Sequence, residues 1–117
     1  MKFILLIYQG TTALPGSDRW KAMPEAQQKA IYADYAALNK TPGVTPGLPL
    51  GLPEAARTVR VKDGKPEVQS GTYLAEGAGG YLTLEAQNID AAIALAARIP
   101  AARLGGAIEI RPAEQYW

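Results

Sequence analysis

Lys2-Phe3-Ile4-Leu5-Leu6-Ile7-Tyr8 is the stretch on which the fold turns. From Phe3 to Tyr8 no polar residue interrupts the apolar ones, which is the pattern of a strand covered on both faces rather than one with a wet side. Only two helix-like segments follow, and two helices fill one face of a small sheet. The second face is therefore expected to meet another copy of the chain, with a cavity at that face.

The rest of the chain supplies the remaining elements. Gln9-Gly10-Thr11-Thr12 and Leu14-Pro15-Gly16-Ser17 end the strand and turn the chain. Ser17-Asp18 can cap a short preliminary turn carrying Trp20, and a longer helix is predicted over residues 24–39. Pro24 suits its first turn, where a missing N–H costs nothing, and Glu25 favours the positive end of its dipole. Ile31, Tyr35 and Leu38 recur at helical spacing, backed by Ala30 and Ala37, while Lys29, Asp34 and Lys40 are assigned to water. Residues 41–53 alternate Pro42, Pro46, Pro49 and Pro53 with Gly43, Gly47 and Gly51, which excludes a helix and leaves loop with a ragged edge strand near 44–50.

Thr58-Val59-Arg60-Val61-Lys62 alternates cleanly, Asp63-Gly64 is a two-residue turn signal, and Pro66-Glu67-Val68-Gln69 returns, so a β-hairpin is predicted. Tyr81 to Glu85 reads as a strand with Leu82 and Leu84 on one face. Asn88 caps a second helix whose Ile89, Ala92, Ile93, Ala96 and Ile99 trace one side until Pro100. Gly105-Gly106 then releases a last strand, Ala107 to Arg111, with Ile108 and Ile110 facing the helices. Strand, helix, hairpin, strand, helix, strand is an α+β, ferredoxin-like βαββαβ plan with an elaborated central hairpin. Right-handed crossovers place both helices on one sheet face. The 117 residues make a single domain, residues 1–117.

Composition narrows the chemistry. The chain contains no His and no Cys, which removes the commonest general base, the best nucleophile and the usual transition-metal ligands. Its 12 basic and 11 acidic residues are interspersed, so no basic stripe offers a nucleic-acid groove. The acidic residues lack calcium-loop spacing. No metal, cofactor or nucleic acid is expected, and Gly77-Ala78-Gly79-Gly80 lacks the Lys and the following helix of a phosphate loop. The opening run is too short for a secretory core and no later run spans a bilayer, which makes cytoplasmic the default expectation, with no membrane partner.

The candidate site residues come from strand alternation. Glu109 and Arg111 share one face of the last strand, and Tyr81, Thr83 and Glu85 share the matching face of the strand before it. Beside an Arg, such carboxylates can anchor a small ligand, or a desolvated Glu can act as a general base. A structural ion pair of Glu85 or Glu109 with Arg111 is the competing reading. Tyr8, Tyr73 and Tyr81 are the aromatic candidates for a pocket wall, whereas Tyr32 and Tyr35 read as helix-to-sheet packing. Trp20 either closes a cavity mouth or covers the core edge. Tyr116-Trp117 at the chain end either docks onto the subunit or its partner, or is a cloning remnant.

Leu5-Leu6-Ile7-Tyr8, Thr58 to Lys65, Gly79-Gly80-Tyr81-Leu82, Ala96 to Arg103 and Ile108-Glu109-Ile110-Arg111-Pro112 together resemble the YCII-related family, including its DGPF branch, over nearly the whole chain. The resemblance implies a dimeric α+β barrel. The branch signature Asp-Gly-Pro-Phe stands here as Ser70-Gly71-Thr72-Tyr73, and Glu76 is the only carboxylate in the segment that follows. The His–Asp pair proposed as catalytic in some relatives has no His to match, so activity resting on that pair does not carry over. The function expected is a homodimer binding a small molecule in a cavity at the sheet face. The alternatives are a small isomerase, lyase or hydrolase using Glu or Tyr as proton carrier, and a partner-binding module of the kind this family places beside sigma-type transcription factors.

Overall fold

The computed structural model describes residues 1–75 and 77–116; Glu76 and Trp117, both singled out above, lie outside the described residues. The opening run forms β1 (Lys2–Tyr8) at the centre of a four-stranded sheet. After it come α1 (Asp18–Lys21), α2 (Glu25–Asn39) and the short edge strand β2 (Val44–Pro46). A hairpin of β3 (Arg57–Lys62) and β4 (Lys65–Ser70) follows, then β5 (Gly80–Glu85), α3 (Ile89–Ala96), α4 (Pro100–Arg103) and β6 (Ala107–Pro112).

The sheet runs β2-β5-β1-β6, with every pairing antiparallel. This is the α+β, ferredoxin-like arrangement expected from the sequence. One part of the middle is assembled differently from the plain reading of strand, helix, hairpin, strand. The second strand of the βαββαβ plan is the three-residue β2, and among the described residues the hairpin pairs only with itself, in a separate two-stranded sheet. Pro46 has no N–H of its own to donate, which suits this edge position and helps keep β2 short. The hairpin turn follows its sequence signal: Asp63 and Gly64 have φ of 52° and 76°, the pair of positive angles a tight two-residue turn requires.

Pleating divides β1 into two faces. Phe3, Leu5 and Ile7 are buried against Leu38 of α2 and Ala92, Leu95 and Ala96 of α3, with Leu82 and Leu84 beside them. Both helices thus cover one side. Lys2, Ile4, Leu6 and Tyr8 point the other way, where Lys2 and Ile4 are exposed, Ile4 at 36%, and Leu6 and Tyr8 are half-buried. Register places Ile4 opposite Thr83 and Arg111, and Leu6 opposite Tyr81 and Glu109.

Local signals account for the helix ends. Ser17 Oγ accepts from Trp20 N–H at 3.2 Å and Asn88 Oδ1 accepts from Ala91 N–H at 2.9 Å, each satisfying an orphan donor of a first turn. The second main helix stops sooner than its apolar spacing suggests. α3 ends at Ala96, and Pro100, rather than terminating it, opens α4, where a first-turn residue needs no N–H. The buried stripe passes through Ala92, Leu95, Ala96 and Ile99, leaving Ile89 and Ile93 exposed, contrary to the stripe drawn from spacing alone. Ala30 and Ala37 of α2 are likewise exposed, while Asp34 is half-buried and paired with Arg103. Where β1 leaves the sheet, Gly10 has a φ of 57°, and a Cβ there would lie 2.1 Å from the Gly105 carbonyl oxygen. This contact locks the exit of β1 against the entry to β6.

Candidate functional site

A cavity of about 380 Å³ opens on the helix side of the sheet, between Ile7 and Leu82 below and α2 alongside. The residues that build it follow from local chemistry. Pro46-Gly47-Leu48-Pro49-Leu50-Gly51-Leu52 cannot extend a strand or start a helix, so it crosses the cavity as an irregular roof studded with leucines. Gly47 lies so close to the Tyr81 ring that a Cβ would sit 2.6 Å from it, and its N–H donates to the Tyr81 carbonyl at 3.1 Å. Ala13, Leu14 and Pro15 of the loop after β1 close another side.

Trp20 supplies the aromatic wall and is almost fully buried. Gln28 Nε2 donates to its carbonyl at 2.8 Å and to that of Met23 at 3.0 Å, pinning α1 to the start of α2. The Trp20 and Tyr32 rings meet edge to face, with centroids 5.2 Å apart and planes at 69°, a favoured aromatic geometry. Trp20 therefore stands in the cavity wall.

The polar groups are few. Gln9, Thr12, Asn39 and the tyrosines Tyr32, Tyr35 and Tyr81 border the space, and among the described residues no Asp, Glu, Lys or Arg lines it. Thr12 Oγ1 is already committed, donating to the Leu104 carbonyl at 2.6 Å. Gly79 leaves room for the Gln9 stem, since a Cβ at Gly79 would come within 2.7 Å of Gln9 Cγ. Burial pushes the Tyr35 hydroxyl above its ordinary pKa; hydrogen bonds from the Gln9 side chain and the Ala101 backbone, and the positive Arg103, offset part of that rise. The phenol is therefore neutral at physiological pH and serves as a hydrogen-bonding group, not as a phenolate base.

This shift has a measurable sign. A folded pKa above the unfolded value of 10.0 stabilises the fold fully below that value and is lost as pH climbs through the folded pKa. Urea unfolding of the parent chain and of Tyr35→Phe is expected to show parallel pH dependence up to about pH 9, and a steeper loss in the parent above it. Curves that stay parallel to higher pH would contradict the burial of this hydroxyl.

The residues expected from alternation lie mostly elsewhere. Tyr81, Glu85, Glu109 and Arg111 share the open face of the sheet, as their strand positions predicted, and Tyr8 lies on the same face; of the five only Tyr81 also borders the cavity. Arg111 and Glu109 form an ion pair at 3.4 Å with both side chains substantially exposed, the pairing weighed as the structural alternative. Glu85 sits at the sheet end, 3.5 Å from the Met1 amine. Tyr73 is 65% exposed and its ring lies 6.0 Å from the exposed Arg60 guanidinium. The residues that sequence reasoning missed are Gln9, Tyr35 and Asn39. Ile31, Tyr35 and Asn39 follow one another at intervals of four along α2, so a face passing from apolar to polar was present to be read.

A second cavity of about 480 Å³ adjoins the first, sharing Gln9, Leu14, Leu50 and Gly79 and extending to Thr72 and Gly77. The altered signature therefore borders it. Gly71, with φ of 95°, donates to the Ala56 carbonyl at 2.8 Å and accepts from Thr58 Oγ1 at 2.9 Å, ending the hairpin in a conformation that favours glycine. Among the described residues no helix is long and apolar enough to cross a membrane, and no three potential metal ligands are gathered together. No curated protein matches the chain. The model of the YCII-related domain matches residues 1–115, nearly the full length of the sequence and every strand and helix described above, and the chain belongs to that family.

Proposed function

We propose that this YCII-related protein is a homodimer, joined through its open sheet face, that binds a small molecule in the cavity between sheet and α2. The uncharged cavity of about 380 Å³ carries the binding half of this reading: it has the size of a small-molecule site and an apolar wall with a few convergent polar groups. Catalysis by a Glu or Tyr acid-base has less support. No carboxylate borders the cavity among the described residues, and Tyr35 holds its proton too firmly to be a base. The ligand site favoured here lies on the helix side, and Tyr8, Glu85, Glu109 and Arg111 are assigned to the shared face between subunits.

Surface area supports the dimer. A compact chain of 12.4 kDa is expected to expose about 6,100 Å², whereas this one exposes 8163 Å². Its radius of gyration of 16.0 Å likewise exceeds the roughly 13 Å of a compact chain of this length. Part of the excess is apolar: Ile4 and Tyr81 on the sheet, and Val59, Val61 and Val68 on one face of the hairpin. The excess, about 2,000 Å² per chain, exceeds the roughly 800 Å² per partner of a standard interface and falls in the range of obligate homodimers, which bury about 2,000–5,000 Å² in total.

The binding half is tested with N-phenyl-1-naphthylamine, a neutral dye that brightens in apolar sites. Saturable binding of one dye per chain is expected, and Ile31→Trp, which fills the cavity with an indole, is expected to abolish it while far-ultraviolet circular dichroism stays unchanged. Equal dye binding by a folded Ile31→Trp chain would contradict the assignment.

A further inference from the structure

We infer that the cavity selects an uncharged ligand with an apolar body and a single hydrogen-bonding head, the head being held by Tyr35 and Gln9. This rests on the small-molecule reading above and names the ligand's chemistry. Three observations carry it.

The first is the lining. Trp20, Ile31, Leu48, Leu50 and Leu82 present hydrocarbon and aromatic surface, and no formal charge borders the space among the described residues. An ion entering it would lose hydration without gaining a counter-charge, which is among the costliest steps a binding site can impose. Arg103, whose charge acts on Tyr35, is paired with Asp34, and the Glu109–Arg111 pair lies on the opposite face of the sheet.

The second is the grouping of polar atoms. Tyr35 of α2 and Gln9 of the loop after β1 both line the cavity, and the Gln9 side chain lies close enough to the Tyr35 hydroxyl to lower its pKa. Thr12, in the same loop as Gln9 and also at the wall, has its hydroxyl proton engaged by the Leu104 carbonyl. A phenol and a primary amide together offer both donors and acceptors, which suits a carbonyl or hydroxyl head.

The third is rigidity. Trp20 is held by the Ser17 cap, by Gln28 and by the Tyr32 ring, while Gly47 and Gly79 fit against Tyr81 and Gln9 with no room for a side chain. A wall fixed in this way favours ligands that match its shape and polarity over those that would require it to open.

The test uses three probes with one body and different heads, each displacing N-phenyl-1-naphthylamine at neutral pH: 2-acetonaphthone, 2-naphthoate and naphthalene. 2-Acetonaphthone is expected to bind at least about tenfold more tightly than 2-naphthoate, because the carboxylate enters without a partner charge. Tyr35→Phe is expected to weaken 2-acetonaphthone by about threefold to tenfold, the range of one neutral hydrogen bond, and to leave naphthalene within about twofold. Tighter binding of 2-naphthoate, or a Tyr35→Phe effect equal for ketone and hydrocarbon, would overturn the inference while leaving small-molecule binding intact. Failure of all three probes and of the dye would overturn the small-molecule reading itself.

Discussion

Phe3→Ala is expected to destabilise the fold by about 3–5 kcal/mol, the range for deleting a phenyl ring from a close-packed core. Phe3 is 0% exposed and touches the cluster that joins the sheet to α2 and α3, so little can move in to fill the space left behind. Its neighbour gives the control. Ile4 points to the opposite face, and Ile4→Ala is expected to cost the isolated chain no more than about 1 kcal/mol, since part of that side chain already meets water. Urea denaturation at low protein concentration measures both. Equal losses at the two positions would contradict the two-faced character of β1.

The second large effect concerns association. Ile4→Glu places a carboxylate opposite Arg111, where cross-strand pairing can accommodate it, so the single chain is expected to fold. In a dimer built on this face the same charge is buried, and two-fold symmetry introduces it twice. The expected result is a dissociation constant raised by at least about 100-fold, with a circular dichroism spectrum like the parent's. An Ile4→Glu chain that associates as strongly as the parent would remove the sheet face from consideration as the interface.

Much of the fold was legible because its signals are local. Ser17, Asn88 and Asp63-Gly64 act within three or four residues, and each did in the structure what its chemistry dictates. Alternation likewise separated Leu82 and Leu84 from Tyr81 and Glu85. What failed to show was long-range. No spacing rule tells that β2 pairs with β5 while the stronger hairpin signal stands apart, since the choice depends on which segment can reach the β5 edge. Ile93 was assigned to the core on period alone, yet the core reaches α3 through Leu95. The cavity was hidden for the same reason. Its wall combines Gln9, Trp20, Tyr35 and Leu50, residues distant in sequence, and Tyr35 carried a packing pattern that said nothing of the space beside its hydroxyl.

Sedimentation equilibrium of the unmodified protein tests the account most directly. At micromolar concentration a species of twice the 12.4 kDa chain mass is predicted, because the proposed interface is the face bearing Ile4, Leu6 and Tyr81. A species at the mass of one chain across that range would contradict it.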